Sequence, residues 1–418
     1  ICLRIYKGGS MNIAVIGISG VYPGAENLEQ LHDNLLNRKD SIRKVPPSRR
    51  ELLGLDPEFE YQEIGFLEEI ENFDHGFFHI SSKEADNMSP EQRIALEMAV
   101  KAVLDAGYSL KEFRGTNCGV FVSSQDNDYY SMLSEKSGLA WIGSLKSMLA
   151  GKISYHLDIH GPSMVIDTGC SSGLVCIDDA CRRLENGEID YALVGGITIY
   201  LKFGVKNTDG DLLGIEAGNG RCKPFDATAD GIGVGEGGGF LLLKRLSDAE
   251  ADLDHIYGVI RATAINGDGA RCNSITTPSI EGQKEAILRA WGEGNIHPNE
   301  ITEIEAHGTG TKLGDPIEVE SFYESCEEYG VYSRREPIYI GSIKGNIGHL
   351  NATAAIASIT KILLEFQNHV IYPLCHYTAP NPLIEFERGL LKPASQALDI
   401  DLHDHRLVCA NSFGLSGT

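Results

Sequence analysis

Two distant stretches of this chain share one layout, and that layout limits what the chain can fold into. Ser163 to Leu184 and Ile338 to Phe366 each run from a short apolar strand into a loop of small residues, then into an apolar face at helical spacing. From Ile13 onward, strand and helix patterns alternate in the same way to the end, as expected of a layered α/β protein. The shared layout predicts two similar halves, 11–255 and 256–418, joined near Asp254 to Tyr257. Strands are predicted at Ile13 to Gly17, Gly119 to Ser123, Ser163 to Asp167, Ala192 to Leu201, Gly239 to Leu243, Gly258 to Ala264, Ile301 to Ala306 and Ile338 to Ile340. After Ser89-Pro90 a helix is predicted, with Ile94, Leu96, Ala99, Val100 and Val103 largely on one face and Asp105-Ala106-Gly107 closing it. No short repeat of about 20 to 50 residues is present, which disfavours solenoids and propellers. The opening, 1–10, carries Arg4 and Lys7, no acid and Gly8-Gly9-Ser10; it is expected to be a linker or tag remnant outside the fold.

Charge narrows the function classes. The chain has 36 basic and 59 acidic side chains, a net charge of −23, which disfavours a nucleic-acid binder built from Lys and Arg facing phosphate. No run approaches the roughly 18 to 20 apolar residues of a membrane span, and Ile1 to Ser10 has no signal-peptide pattern, so a soluble, cytoplasmic protein is expected. Ten cysteines in 418 residues are too sparse for a disulfide scaffold, and no zinc-type spacing of Cys or His appears. Glycine is abundant at 47 residues, and it clusters around the candidate chemistry.

Cys170 lies in Asp167-Thr168-Gly169-Cys170-Ser171-Ser172-Gly173, a strand-to-helix turn. Unpaired N–H groups and the helix dipole there favour an anion, so the thiol pKa is expected to fall from about 8.5 toward neutrality and supply a nucleophile. Cys176 and Cys181 fall inside the helix and read as core. His307 ends a strand in Glu305-Ala306-His307-Gly308-Thr309-Gly310-Thr311, followed by Gly314-Asp315-Pro316-Ile317-Glu318. His349 closes Gly341-Ser342-Ile343-Lys344-Gly345-Asn346-Ile347-Gly348-His349 before another apolar helix. Either histidine alone is more often a packed or surface residue; two on glycine-rich strand ends, with a primed cysteine elsewhere, read as a site. Gly233, Gly235 and Gly238 match a dinucleotide fingerprint, but they precede a strand and open no helix, so they are expected to line the site as a loop.

These three blocks, in order and spacing, resemble the signatures of β-ketoacyl synthases, above all ketosynthase domains of modular type I polyketide synthases. Phe73 to Gln92, Gly161-Pro162-Ser163, Gly220 to Asp226, Asp230 to Gly237 and Asn411 to Thr418 extend the resemblance over 11–418. It implies a thiolase-like fold, two related halves in five layers α-β-α-β-α, with the cysteine in the first half and both histidines in the second. It implies decarboxylative Claisen condensation: Cys170 takes an acyl chain from the 4′-phosphopantetheine arm of an acyl carrier protein. His307 and His349 would stabilise the enolate of a malonyl-type extender. Lys344 would support the histidines with Asp315 and Glu318 as polar partners, and the backbone N–H groups of Cys170 and Leu415 would form the oxyanion hole. No cofactor is expected to be bound. The implied partners are the carrier protein, a second copy in a homodimer, and other domains of a multidomain synthase.

The chain departs from the family pattern in places. Gly169 stands where alanine is common, Gly345 where serine is common, and Ala355 and Ser358 where glycines are frequent; Leu415 is phenylalanine in many fatty-acid relatives. Lys202 to Asn219 matches poorly, and the end at Gly417-Thr418 falls before the family's usual next strand, as in a piece of a longer polypeptide. A degradative thiolase would need a second cysteine in Ser412 to Gly417, which has none. A non-elongating ketosynthase or a non-catalytic partner subunit is the alternative, although such domains often lose a reacting residue and this chain keeps all three. Zinc on Cys170, His307 and His349 would quench the nucleophile. Acidic carrier proteins would be repelled by a net charge of −23, so tethering in one polypeptide is expected to raise their effective concentration.

Overall fold

The computed structural model describes residues 1–4, 11–204, 215–272, 274–400 and 406–418. Its centre is an eleven-stranded sheet made of β1 (Cys2–Arg4), β2 (Ile13–Val21), β3 (Cys118–Ser123), β4 (Ser163–Ile166), β5 (Tyr191–Thr198), β6 (Gly237–Arg245), β7 (Gly258–Ala262), β8 (Ile301–Glu305), β9 (Ile338–Gly341), β10 (Leu391–Pro393) and β11 (Leu407–Ala410). In space the order is β10-β9-β8-β11-β1-β7-β2-β6-β5-β3-β4. The set β4-β3-β5-β6-β2 recurs as β9-β8-β11-β1-β7. In each set the first three strands are parallel, and the fourth runs antiparallel to both neighbours. The halves are joined by β2 and β7, where Ile13 pairs with Ile260 and Val15 with Gly258.

Cys2–Arg4 pair with β11 and β7, at the place in the second half that β6 holds in the first, within the stretch 1–10 that was expected to be a linker or tag remnant. Cys2 and Leu3 are apolar and buried. Gly8-Gly9-Ser10 lies outside the described residues. β11 was also not foreseen, although Leu407-Val408-Cys409-Ala410 is a short apolar run of the kind a doubly covered strand requires.

The helices that matter for the site are α1 (Pro90–Asp105), α2 (Ser147–Leu157), α3 (Ser172–Glu185), α4 (Ile280–Glu293), α5 (Gly314–Glu327), α6 (Lys344–Ile347) and α7 (Ala354–Asn368). α1 begins where the sequence predicts: the Ser89 side chain accepts from Gln92 N–H, and Pro90 fills the first turn. Strand alternation sorts the layers. Along β2, Ala14 and Ile16 pack outward with α1 and α2, while Ile13 and Val15 pack inward with α3 and α7. Along β11, Leu407 and Cys409 face outward to α4 and α5, and Val408 and Ala410 inward to α3 and α7. The layers therefore run α-β-α-β-α, with α3 and α7 in the shared middle layer. Among the described residues no helix is long and apolar enough to cross a membrane.

Leu3 is fully buried, so its contribution tests the placement of β1. Leu3→Ala is expected to cost about 2–5 kcal/mol of unfolding free energy in denaturant titration. A change within about 0.5 kcal/mol would mean that the strand is a solvated tail.

Candidate active site

Four connections emerge from the carboxyl ends of parallel strands, the edge where α/β sheets place their ligands. β4 leads through Asp167-Thr168-Gly169 to Cys170, two residues before α3. β8 leads to His307, β9 to α6 and His349, and β11 to Asn411–Leu415. All four line one cavity of about 1330 Å³ that holds Cys170, His307, His349, Phe413 and Leu415 in its wall. The structure thus brings together the three residues that the sequence singled out from separate segments. The rings of His307 and His349 are 5.4 Å apart at an interplanar angle of 81°, and Phe413 stands 5.7 Å from His307 on another side.

Each reactive side chain is held through its backbone. The Ser412 hydroxyl donates to the Cys170 carbonyl at 2.8 Å, and Ser172 Oγ accepts from Thr168 N–H at 2.8 Å, which sets the turn. Glu318 accepts from the N–H groups of His307 at 2.8 Å and Gly308 at 2.9 Å. Asp315 accepts from Phe225 N–H at 2.8 Å and Gly310 N–H at 3.1 Å. Among the described residues neither carboxylate forms an ion pair with Lys344. Both hold the backbone of the His307 loop, and the Lys344 charge acts on each through space, against the effect of burial.

His349 is fixed by the glycine loop that the sequence could place only roughly. Its N–H donates to Gly233 carbonyl at 2.7 Å, and its carbonyl accepts from Gly235 N–H at 3.0 Å. A Cβ on Gly235 would stand 2.0 Å from the Ile347 carbonyl, so only glycine allows the two backbones to approach this closely. Asp230, Gly231, Ile232 and Val234 of the same loop line the cavity, as expected.

The imidazoles have defined roles in this geometry. His349 Nδ1 accepts from Asn351 N–H at 3.0 Å, so the neutral ring carries its proton on Nε2. Among the described residues that Nε2, and His307 Nδ1, are buried without a protein partner. Burial, with the nearby Lys344 charge, lowers the pKa of both rings, that of His349 to about 3 and that of His307 well below its ordinary value. Both are neutral at physiological pH.

The thiol departs from expectation. Burial pushes the Cys170 pKa up, and it outweighs the opposing pull of Lys344 and of the N–H groups of Leu415 and Cys170, which point at the sulfur. A place at the start of α3 does not by itself ionise a sulfur that the surrounding loops cover. Burial also raises Asp315, to about 7, and Glu318. Asn351 and Phe413 are contributors that sequence reasoning missed; a lone polar or aromatic residue beside a motif carries no periodic signal. The poorly matching Lys202 to Asn219 falls largely on 205–214, outside the described residues, and Ile215 and Glu216 after it line the cavity.

Residues 10–249 match the family model of the β-ketoacyl synthase N-terminal domain, and residues 257–378 that of the C-terminal domain. Among curated proteins the chain is similar to polyketide synthase PksL of Bacillus subtilis (strain 168), 40% identical over 419 residues and covering 97% of this chain and 9% of that protein. It is also similar to polyketide synthase ThaG of Burkholderia thailandensis, 36% identical, covering 97% of this chain and 7% of that one. The chain therefore spans less than a tenth of the length of these relatives. Among solved structures, the ketosynthase from module 6 of the bacillaene synthase of Bacillus subtilis 168 superposes with a TM-score of 0.88 at 39% identity, covering 97% of this chain and 70% of that one. Ketosynthase twelve from the bacillaene polyketide synthase of Bacillus amyloliquefaciens gives 0.88 at 35% identity, covering 97% and 73%. At this similarity the fold is the thiolase-like one that the resemblance implied.

The depressed imidazoles make a pH prediction. Unfolded His349 takes up a proton near its ordinary value of about 6.5, whereas the folded ring stays neutral down to about 3. Its stabilising contribution is complete above the upper value and is lost as pH falls toward the lower. Relative to His349→Gln, the wild-type chain should lose about 1.4 kcal/mol per pH unit between about pH 6 and pH 4. Denaturant unfolding of both proteins over that range checks it; a flat difference would show that the folded ring protonates freely.

Proposed function

The chain belongs to the β-ketoacyl synthase family, and from that premise we propose that it catalyses decarboxylative Claisen condensation in polyketide chain elongation, with Cys170 as the acyl carrier and His307 and His349 as the enolate-stabilising pair. The observation that carries this reading is the convergence of one thiol and two neutral imidazoles, each imidazole with an unpartnered buried nitrogen, in one cavity. The 4′-phosphopantetheine arm of an acyl carrier protein enters as substrate.

In the first step the Cys170 sulfur attacks the acyl thioester carbonyl. The tetrahedral oxyanion sits against the N–H groups of Cys170 and Leu415, and the arm leaves as a thiolate that takes the cysteine proton. A raised thiol pKa suits this sequence, because the proton stays on sulfur until a substrate arrives. In the second step the carbon–carbon bond to the malonyl carboxylate breaks, carbon dioxide departs, and the electron pair moves into an enolate. His349 Nε2–H donates to the enolate oxygen, and neutral His307 supports it. The enolate carbon then attacks the acyl carbonyl on Cys170, and the sulfur leaves. Lys344, 2% exposed, acts through its charge, which adds to burial in keeping both rings unprotonated. Asp315 and Glu318 hold the loop that carries His307.

A homodimer is supported by β4, an edge strand whose Met164, Val165 and Ile166 are only half-buried. The far greater length of the relatives supports other domains of a synthase as partners.

Acyl carrier thioesters followed by intact-protein mass spectrometry test the assignment. The acyl mass is expected on wild-type protein and absent from Cys170→Ala, and malonyl carrier should then discharge it with extension. His349→Ala should lower carbon dioxide release by about 10² to 10³-fold, the usual effect of removing one oxyanion donor. Undiminished release would overturn the role given to the histidine, and acylation without extension would make the domain a non-elongating acyltransferase.

A further inference from the structure

Lys361 lies on α7 with its side chain in the interior, 2% exposed, and takes part in no step above. Its ammonium meets three carboxylates: Glu305 at 2.5 Å, Glu365 at 3.3 Å and Glu303 at 3.7 Å. Arg406 pairs with Glu303, and all five side chains are buried. Against burial, the three carboxylates raise the Lys361 pKa, while burial and the neighbouring Glu303 charge raise that of Glu365. With a proton on Glu365 the cluster is neutral, and Lys361 is a fixed cation whose nearest partner is Glu305.

The place of that partner gives the lysine its reach. Glu305 ends β8, two residues before His307, and its Oε1 accepts from Ile343 N–H at 2.9 Å, one residue before Lys344. The same oxygen accepts from Ser358 Oγ of α7 at 3.4 Å, and α7 begins five residues after His349. One ion pair therefore fastens the roots of His307 and Lys344 to the helix that follows His349. β9 makes room for it: a Cβ on Gly341 would stand 3.0 Å from Lys361 Nζ, so the ammonium reaches Glu305 across a glycine. An apolar contact in this place could slide, whereas a desolvated ion pair with further hydrogen bonds holds one separation.

We propose that Lys361 is a positioning residue for the enolate-forming step, its ion pair with Glu305 setting where His307 and Lys344 stand relative to His349. The inference rests on the condensation reading above and adds a side chain that touches neither substrate nor reacting atoms. Decarboxylation needs the imidazole nitrogens aimed at one oxygen, and a misplacement of about 1 Å in such an arrangement can cost about 100-fold in rate. Acylation of Cys170 uses the N–H groups of Cys170 and Leu415 instead, so the two half-reactions should respond differently.

The test is Gly341→Ala, which keeps every charge and presses only on the end of the lysine. Acylation of Cys170 by an acyl carrier thioester should stay within about twofold of wild type, while carbon dioxide release from malonyl carrier should fall about tenfold in kcat with KM unchanged. Glu365→Gln, which keeps the shape of the protonated acid, should leave both rates within about twofold of wild type. A parallel fall of acylation and release, or an equal loss in Glu365→Gln, would show that the cluster serves folding alone and overturn the proposal. In a crystal structure of Gly341→Ala the rings of His307 and His349 should depart from their 5.4 Å separation. Unmoved rings, with wild-type release intact, would strike this proposal alone. Wild-type protein that is acylated but releases no carbon dioxide would strike the elongation reading and the proposal with it.

Discussion

Buried carboxylates that accept backbone N–H groups hold the second half of the site in shape. Glu318 takes two N–H groups from the turn that begins at His307, and Asp315 ties that turn to Phe225. Glu305 does the same one layer deeper, accepting from Ile343 N–H at 2.9 Å and from Lys361 at 2.5 Å, while its own carbonyl accepts from Asn411 N–H. One residue thus joins the loops of β8, β9 and β11. Loops rich in glycine and threonine have little apolar surface to pack, so without these fixed acceptors nothing would hold two imidazoles at a set separation.

The same burial sets the electrostatics. It keeps both imidazoles neutral and the thiol protonated, and it makes an added charge costly unless donors are already aimed at it. Donors are aimed at two places: the N–H groups of Cys170 and Leu415 around the sulfur, and the histidine nitrogens across the cavity. A site of this kind is quiet when empty, because the charges of the proposed reaction develop only where substrate oxygen is present. Lys344 contributes from a distance, and its effect on both rings is larger than that of either ring on the other.

Cys170, His307 and His349 were legible because each follows an apolar strand and sits among small residues, a local pattern readable without contacts. The resemblance extended that reading to Lys344, Asp315, Glu318 and Leu415. What the carboxylates touch was not legible: a carboxylate spent on backbone N–H and one spent on lysine look alike in one dimension. The direction of the Cys170 shift was misread because the helix start is local, whereas the loops that cover the sulfur come from β8, β9 and β11.

β11 carries alternate residues to opposite layers and then runs directly into the loop whose Ser412 and Leu415 touch the cysteine. Sliding it by a single residue would exchange Val408 and Cys409 between the two cores and carry both loop residues away from the sulfur together. A misaligned molecule would therefore keep most of its hydrophobic burial and lose its chemistry. For this chain, the proposed turnover would report strand alignment more sensitively than compactness or helix content does.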